Sequence, residues 1–186
     1  MKKVSKYKIA RAYASAWLET AISDKCEDRV LDEVTEIQKS VINDVSWWQF
    51  LRQPVDSSIK LKFINDFTAK AKLSKISSET LSLIVQNNKI DFIDLILESF
   101  VKLYYAHKGI VEVYVDTVVD LTATQSAKLK KVLEEKLKAP VVIKYRINPD
   151  ILGGLAIRFN SFLIDDTISS KLKRVENQML DTPVGL

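Results

Sequence analysis

The chain has 186 residues, with 28 Lys and Arg against 24 Asp and Glu, a net charge of +4 and 47% hydrophobic residues. That length buries a core as one large domain or two small ones, and four glycines and four prolines argue against long disordered stretches. No apolar run approaches the ~18 residues of a membrane span, and one cysteine, Cys26, excludes an internal disulfide and fits a reducing compartment.

The chain starts with its only basic cluster, Lys2, Lys3, Lys6 and Lys8. It reads either as a contact for nucleic acid or lipid headgroups or as a solvated terminus. No apolar run with a cleavage signal follows, so a secretory signal peptide is not indicated.

Residues 1–108 read as helix almost throughout. In "KYKIARAYASAWLETAI" only Arg11, Ser15 and Glu19 interrupt the middle. They cluster on the helical wheel and leave an apolar arc of roughly two-thirds of the circumference, against the ~100° that a surface helix needs. The surplus asks for a second neighbour, and Tyr13 and Trp17 near its centre are expected in the core. Val30 or Leu31, Val34, Ile37, Val41 and Val45 continue at helical spacing. "SWWQFLRQP" is a short helical turn stopped near Pro54. Ser57 or Ser58 caps a helix carrying Ile59, Phe63, Ile64 and Phe67. "SSETLSLIVQNNKI" is a short helix with an Asn-Asn stop, and "DFIDLILESFVKLYYAHKG" a long amphipathic one closed by Gly109.

At Gly109 the period changes from 3.6 to 2. In "IVEVYVD", Val111, Val113 and Val115 face one way and Glu112, Tyr114 and Asp116 the other. "TATQ" is a capping box with Thr122 as cap and Gln125 as its partner. The helix it opens carries Leu129, Val132, Leu133 and Leu137 on one side and stops at Pro140. "VVIKYRI", "LAIRF" and "FLI" are further strands, the last two joined by a tight turn at Asn160-Ser161. A final helix places Ile168, Leu172, Val175 and Met179 on one face. The expected fold is α+β: a bundle of about six helices over 1–108, then a small α/β domain over 109–186.

Chemistry is thinly represented. His107 is the only histidine and stands far from Cys26, so neither a zinc site nor a His-dependent triad has its ligands; at a helix end His107 suits the dipole. Gly153-Gly154 matches neither GxxxxGK[ST] nor GxGxxG and precedes a strand, where a phosphate cradle precedes a helix. A bend or packing site closed to a β-carbon at one or both positions accounts for it, and an aspartate at Gly154 would bury a charge and strain the backbone. Asp165-Asp166 sits between strand and helix, the place of an N-cap, and adjacent carboxylates need not converge as an acid–base pair. Trp47, Trp48, Phe50, Tyr104 and Tyr105 lack the surrounding cations of a nucleic-acid stacking platform and read as core or interface.

Three stretches together resemble the delta subunit of F-type ATP synthases, the family of the mitochondrial oligomycin-sensitivity-conferring protein. "IARAYASAWLETA" is similar to its opening helix through Ala10, Arg11, Tyr13 and Ala14. "VQNNKIDFIDLILESF" resembles a junction between two of its helices. "DILGGLAIRF" followed by "IDDTISSKL" resembles its signature of apolar residue, Gly153-Gly154, strand, hairpin, and Asp165-x-Thr167 into a helix. Asn160-Ser161 where a glycine is common, and Asp166 where a small residue is usual, depart from it.

The resemblance implies a connector without catalytic, cofactor or metal sites, without nucleic acid and without direct membrane insertion, present once in a hetero-oligomeric complex. Its helical domain would bind the N-terminal helix of an alpha subunit of the catalytic head, and its C-terminal domain the b-type subunits of the peripheral stalk. Rotor torque would thereby be coupled to ATP synthesis. Ala12 and Ala16, one turn apart near the polar edge of the first helix, with Leu83 and Asn87 of a neighbouring helix, would frame the alpha-subunit groove; otherwise they face a helix of the same bundle. A resemblance starting at residue 7 leaves no room for a mitochondrial presequence, which implies a bacterial protein on the cytoplasmic side of the inner membrane. Two other classes compete: a small RNA- or ribosome-binding factor, from an isoelectric point near 9.0, and an enzyme using Asp165 or Asp166, which would need a polar pocket.

Overall fold

A computed structural model of the chain describes residues 6–43, 45–53, 55–149 and 151–173. The chain forms two compact units, Met1–His107 and Lys108–Leu186, and the architecture is α+β, helical first and then mixed.

In the first unit the helices are α1 (Lys6–Ser23), α2 (Glu27–Asn43), α3 (Val45–Arg52), α4 (Ser57–Lys70), α5 (Lys75–Gln86) and α6 (Ile93–Lys108), the last preceded by a 3-10 turn at Ile90–Phe92. Each buries the stripe that a 3.6-residue period selects. Ala10, Ala14, Trp17, Leu18 and Ala21 are buried on α1, Val30, Val34 and Ile37 on α2, and Ile93, Ile96, Leu97, Phe100 and Tyr104 on α6. Trp17 packs on Phe100 with centroids 5.2 Å apart, and Trp48 stands edge-on to Phe67 at 5.9 Å. Such pairs contribute about 0.5–1.5 kcal/mol beyond their area. Trp48 and Tyr104 are therefore core, and the Tyr104 hydroxyl donates to Asp28 Oδ1 at 2.5 Å.

Three local expectations are corrected. The apolar series from Val30 does not run on to Val45 in one helix, because α2 stops at Asn43 and Val45 opens α3. The cap of α4 is Asp56, whose carboxylate accepts from Ser58 N at 3.2 Å; a charged acceptor complements the helix N-terminus better than the serine hydroxyls next to it. On α4, Ile64 is buried while Ile59 and Phe63 stay partly exposed.

In the second unit the strands are β1 (Val111–Thr117), β2 (Val141–Ile147), β3 (Leu155–Phe159) and β4 (Phe162–Asp165), with α7 (Ala123–Leu137) between β1 and β2. The sheet order is β2-β1-β3-β4. β1 and β2 are parallel through the α7 crossover, and the other pairs are antiparallel. Thr122 and Gln125 make the capping box. Asn160, at φ 48°, makes the β3–β4 turn, and Gly109, at φ 65°, closes α6.

Val113, Val115, Val141 and Leu133 form the core, with Leu129, Leu137, Ile143, Leu155, Ile157 and Phe159 around them. Val132, expected on this side of α7, is exposed. On the other face Asp116 is buried, and its Oδ1 and Oδ2 receive Arg146 Nε and Nη2 at 2.9 and 3.1 Å, with Arg158 Nη2 on Oδ2 at 2.8 Å. One carboxylate on the central strand thus ties β2 and β3 to it.

Candidate interaction surfaces

The outer side of α1 is the surplus apolar surface read from sequence. Once Trp17 and its neighbours turn inward, Ala12 and Ala16 remain exposed one turn apart. α5 packs beside α1 and exposes Leu83 and Asn87. Tyr13, expected in the core, is only half-buried, and its hydroxyl accepts from Asn87 Nδ2 at 2.9 Å. A phenol with a polar tip keeps that tip at the rim, and here the rim bond links α1 to the end of α5. Ala12, Ala16 and Leu83 therefore lie on two adjacent helices, and Asn87 is the C-cap of the second.

α5 is itself pinned by α2. Glu33, buried on α2, accepts from Ser74 N at 2.8 Å, Ser74 Oγ at 2.7 Å, Ser77 Oγ at 2.5 Å and Arg29 Nε at 3.1 Å. Ser74 also caps α5 through Ser77 N. A carboxylate at the start of α5 satisfies end-of-helix donors and opposes the dipole. Sequence periodicity placed Glu33 between core positions of α2 and gave no sign of partners some forty residues away.

In the second unit the Gly153-Gly154 pair is the entry to β3. Gly154 has φ +90°, and a β-carbon on it would lie 2.4 Å from the backbone oxygen of Asp166. A β-carbon on Gly153 would meet the Ile168 Cδ1 at 2.7 Å. The backbone before β3 thus runs against the turn that opens the helical residues 168–173, and Ile168 N donates to Gly153 O at 2.9 Å.

Asp165 was expected to cap that helix. The cap is instead Thr167, whose Oγ1 accepts from Ser170 N at 3.2 Å. Asp165 supports it, accepting from Thr167 N at 3.0 Å and from Ser170 Oγ at 2.6 Å. It stands two residues before the cap position and braces it from there. Asp166 turns away to Lys171 at 2.8 Å, so the two carboxylates do not converge. Ile168 and Leu172, expected on an apolar inner face, are exposed; Val175 and Met179 lie outside the described residues. β4 is an edge strand, and Phe162, Leu163 and Ile164 on it are exposed too.

His107 is exposed at the end of α6. Burial, then the nearby Asp24, Glu33 and Glu27, push the Cys26 thiol up. Among the described residues no group of three or more His, Cys, Asp or Glu could hold a metal ion, and no helix is long and apolar enough to cross a membrane.

Comparison with known proteins agrees with this arrangement. The family model described as "ATP synthase delta (OSCP) subunit" matches residues 9–179. ATP synthase subunit delta of Rickettsia bellii is 29% identical over 90% of this chain and 89% of its own length. The mitochondrial ATP synthase subunit O of Ipomoea batatas is 29% identical over 91% of this chain and 71% of its own. A chain in the cryo-EM structure of the Toxoplasma gondii mitochondrial ATP synthase hexamer superposes with a TM-score of 0.71 at 19% identity, covering 92% of this chain and 97% of its own, a likeness of fold. The chain belongs to the ATP synthase delta (OSCP) subunit family.

Proposed function

We propose that the chain is the stator joint of an F-type ATP synthase, holding the catalytic head against the drag of the rotor. The helical unit takes the N-terminal helix of an alpha subunit, and the second unit takes the C-terminal ends of b-type stalk subunits. One copy serves each complex, with no catalytic group, cofactor or metal of its own. With no membrane-spanning helix among the described residues, it meets the membrane peripherally through the complex, on the cytoplasmic side in a bacterium.

The observation that carries this reading is the α1–α5 face. Ala12 and Ala16 expose methyl groups, Leu83 is 48% exposed, and the Asn87–Tyr13 bond marks one rim. An amphipathic helix lying on it would set its apolar side chains against small residues, which lets helix axes approach to about 8–10 Å. For the stalk, the reading rests on Phe162 and Ile164, exposed on one face of edge strand β4, with Leu163 exposed on the other and Ile168 and Leu172 exposed on the last helix, since exposed apolar side chains are candidates for burial against a partner.

The test is Ala16→Asp in the full-length chain. A carboxylate at the centre of the face would be desolvated without a partner on binding, so affinity for an alpha-subunit N-terminal peptide should fall by at least 100-fold (about 2.7 kcal/mol). Ala16 is exposed, so the melting transition should hold. In rebuilt membranes the variant should hydrolyse ATP with little proton pumping. Unchanged peptide affinity, or full coupling, would refute the assignment of this face.

A further inference from the structure

The sheet of the second unit ends on one side in β2, and that edge is open. β2 runs beside β1 over seven residue pairs, from Val111↔Val141 to Thr117↔Ile147, and no strand lies beyond it among the described residues. Val111 N donates to Pro140 O, and Asn148 N to Thr117 O. Along a strand, alternate residues send their N–H and C=O to opposite sides. Val142, Lys144 and Arg146 therefore bond β1, and the main-chain groups of Val141, Ile143, Tyr145 and Ile147 point away from the sheet. None of these outward groups has a partner among the described residues. Val141 is buried, whereas Tyr145 is 41% and Ile147 54% exposed, so the edge is accessible along its second half. Unpaired main-chain groups in a row are a template for another strand.

Two further features say what that strand would be. A cavity of about 240 Å³, lined by Ser126, Lys130, Val141, Val142, Ile143 and Tyr145, flanks the edge where α7 packs on β2. It offers a place for an apolar side chain on the face that Ile143, Tyr145 and Ile147 share. Lys144 and Arg146 occupy the other face, paired with Glu112 and Asp116 yet both more than half exposed. Side chains of an added strand would stand about 5 Å from these two cations, and one strand spacing of about 4.8 Å further from the two carboxylates. Acidic side chains are therefore favoured there. Lys130, the remaining charge at the cavity, is paired with Glu134 at 3.8 Å. Two copies of this chain paired antiparallel about Tyr145 would set Lys144 of each against Arg146 of the other, and like charges directly opposite oppose that pairing.

We propose that β2 takes an extended segment of a partner chain as a fifth strand, its apolar side chains turned toward α7 and its acidic ones toward Lys144 and Arg146. Main-chain bonds to Ile143, Tyr145 and Ile147 supply the affinity, and the cavity and the two cations supply the selection. β2 is the opposite edge of the sheet from β4. The inference thus goes beyond the stalk contact read at β4 and is tested apart from it.

Amide spectra and amide exchange of the full-length ¹⁵N-labelled chain are followed during titration with the peptide acetyl-Thr-Val-Glu-Val-Glu-Val-Thr-amide. Saturable shifts are expected at Ile143, Tyr145 and Ile147, and exchange of those amides should slow about tenfold or more at saturation. The Lys144 and Arg146 amides, already bonded to β1, should change little. A second peptide with lysine for both glutamates should bind about tenfold more weakly or worse at low salt. Two N-methylated forms of the first peptide read the main chain. Methyl groups on the valines block the N–H groups that face β2 in an antiparallel pair, and methyl groups on the glutamates those that face it in a parallel one. One form should lose binding and the other keep it. No saturable shift with the glutamate peptide, equal affinity for the glutamate and lysine peptides, or equal affinity for the two N-methylated forms overturns the proposal. Protection of the same amides that rises with protein concentration alone also overturns it, because a second copy would then be the occupant.

Discussion

Gly154 offers the sharpest test of how the second unit is held together. Its φ of +90° is a conformation that L side chains rarely adopt, and placing alanine there costs about 1–3 kcal/mol in backbone strain. Its new β-carbon would also sit 2.4 Å from Asp166 O and 3.0 Å from Thr167 Cα. Both are backbone atoms of the turn into residues 168–173 and cannot swing aside, which adds about 1–3 kcal/mol of overpacking. Lower entropy of the unfolded chain returns about 0.4–1 kcal/mol. The net loss expected for Gly154→Ala is therefore about 1–5.6 kcal/mol, centred near 3 kcal/mol. Gly153→Ala is the control, because its β-carbon meets only the far end of Ile168, an exposed side chain that moves for about 0.5–1.5 kcal/mol. Trp17, Trp47 and Trp48 are the only tryptophans and all belong to the first unit. Denaturant unfolding followed by tryptophan fluorescence should thus be the same in both variants. Amide exchange at Val113 and Val115 should quicken roughly 5- to 10,000-fold in Gly154→Ala, at about 1.4 kcal/mol per tenfold. An aspartate at Gly154 starts from the same β-carbon position and should cost at least what alanine costs. Equal exchange in the Gly153 and Gly154 variants would refute the reasoning.

Glu33→Ala should destabilise the helical unit by about 2–4 kcal/mol, because it strands Ser74 N and the Ser74 and Ser77 hydroxyls in a buried place; urea unfolding by tryptophan fluorescence reads it, and a loss below about 0.5 kcal/mol would show that the carboxylate is no brace. Asp165→Ala and Thr167→Ala should each cost on the order of 1 kcal/mol in the second unit, read as faster exchange of the Ser170 amide. Their double variant should cost less than the sum, since both side chains act on Ser170; strict additivity would show that they act separately.

The sequence is most informative where structure is local. The switch of period at Gly109 separates the helical from the mixed part because 3.6 and 2 are properties of neighbouring residues. The Thr122–Gln125 box and the Asn160 turn are equally local. Where several residues offer the same local chemistry, sequence cannot choose among them: "DSS" at 56–58 offers three helix caps in a row, and the aspartate takes the role. Asp165 and Thr167 likewise share one, with the threonine at the cap. Long-range polar contacts are invisible to periodicity. Asp116 reads as a residue on the solvated face of β1, and only pairing with β2 and β3 brings Arg146 and Arg158 to it. The α1 face was legible as a surplus of apolar surface, whereas the Tyr13–Asn87 bond along its rim required the packing of α1 against α5.

A common logic links these buried groups. Glu33 fastens the start of α5 to α2 across about forty residues of sequence, Asp116 fastens β2 and β3 to β1, and Asp165 fastens the start of the last helix to β4. Asp116 gathers donors from two neighbouring strands, Glu33 from the start of α5 and from its own helix, and Asp165 from the start of the last helix, so that a shift at each of these junctions breaks more than one charge-assisted bond. Apolar packing alone is non-directional and tolerates small shifts of one helix on another; a carboxylate holding two to four donors does not. Resistance to sliding matters little to a chain that only binds a ligand, and a great deal to one that stands under torque, where local opening is the route to failure. The glycine pair and Asp165 together hold the entry to β3 and the end of β4 against the start of the last helix.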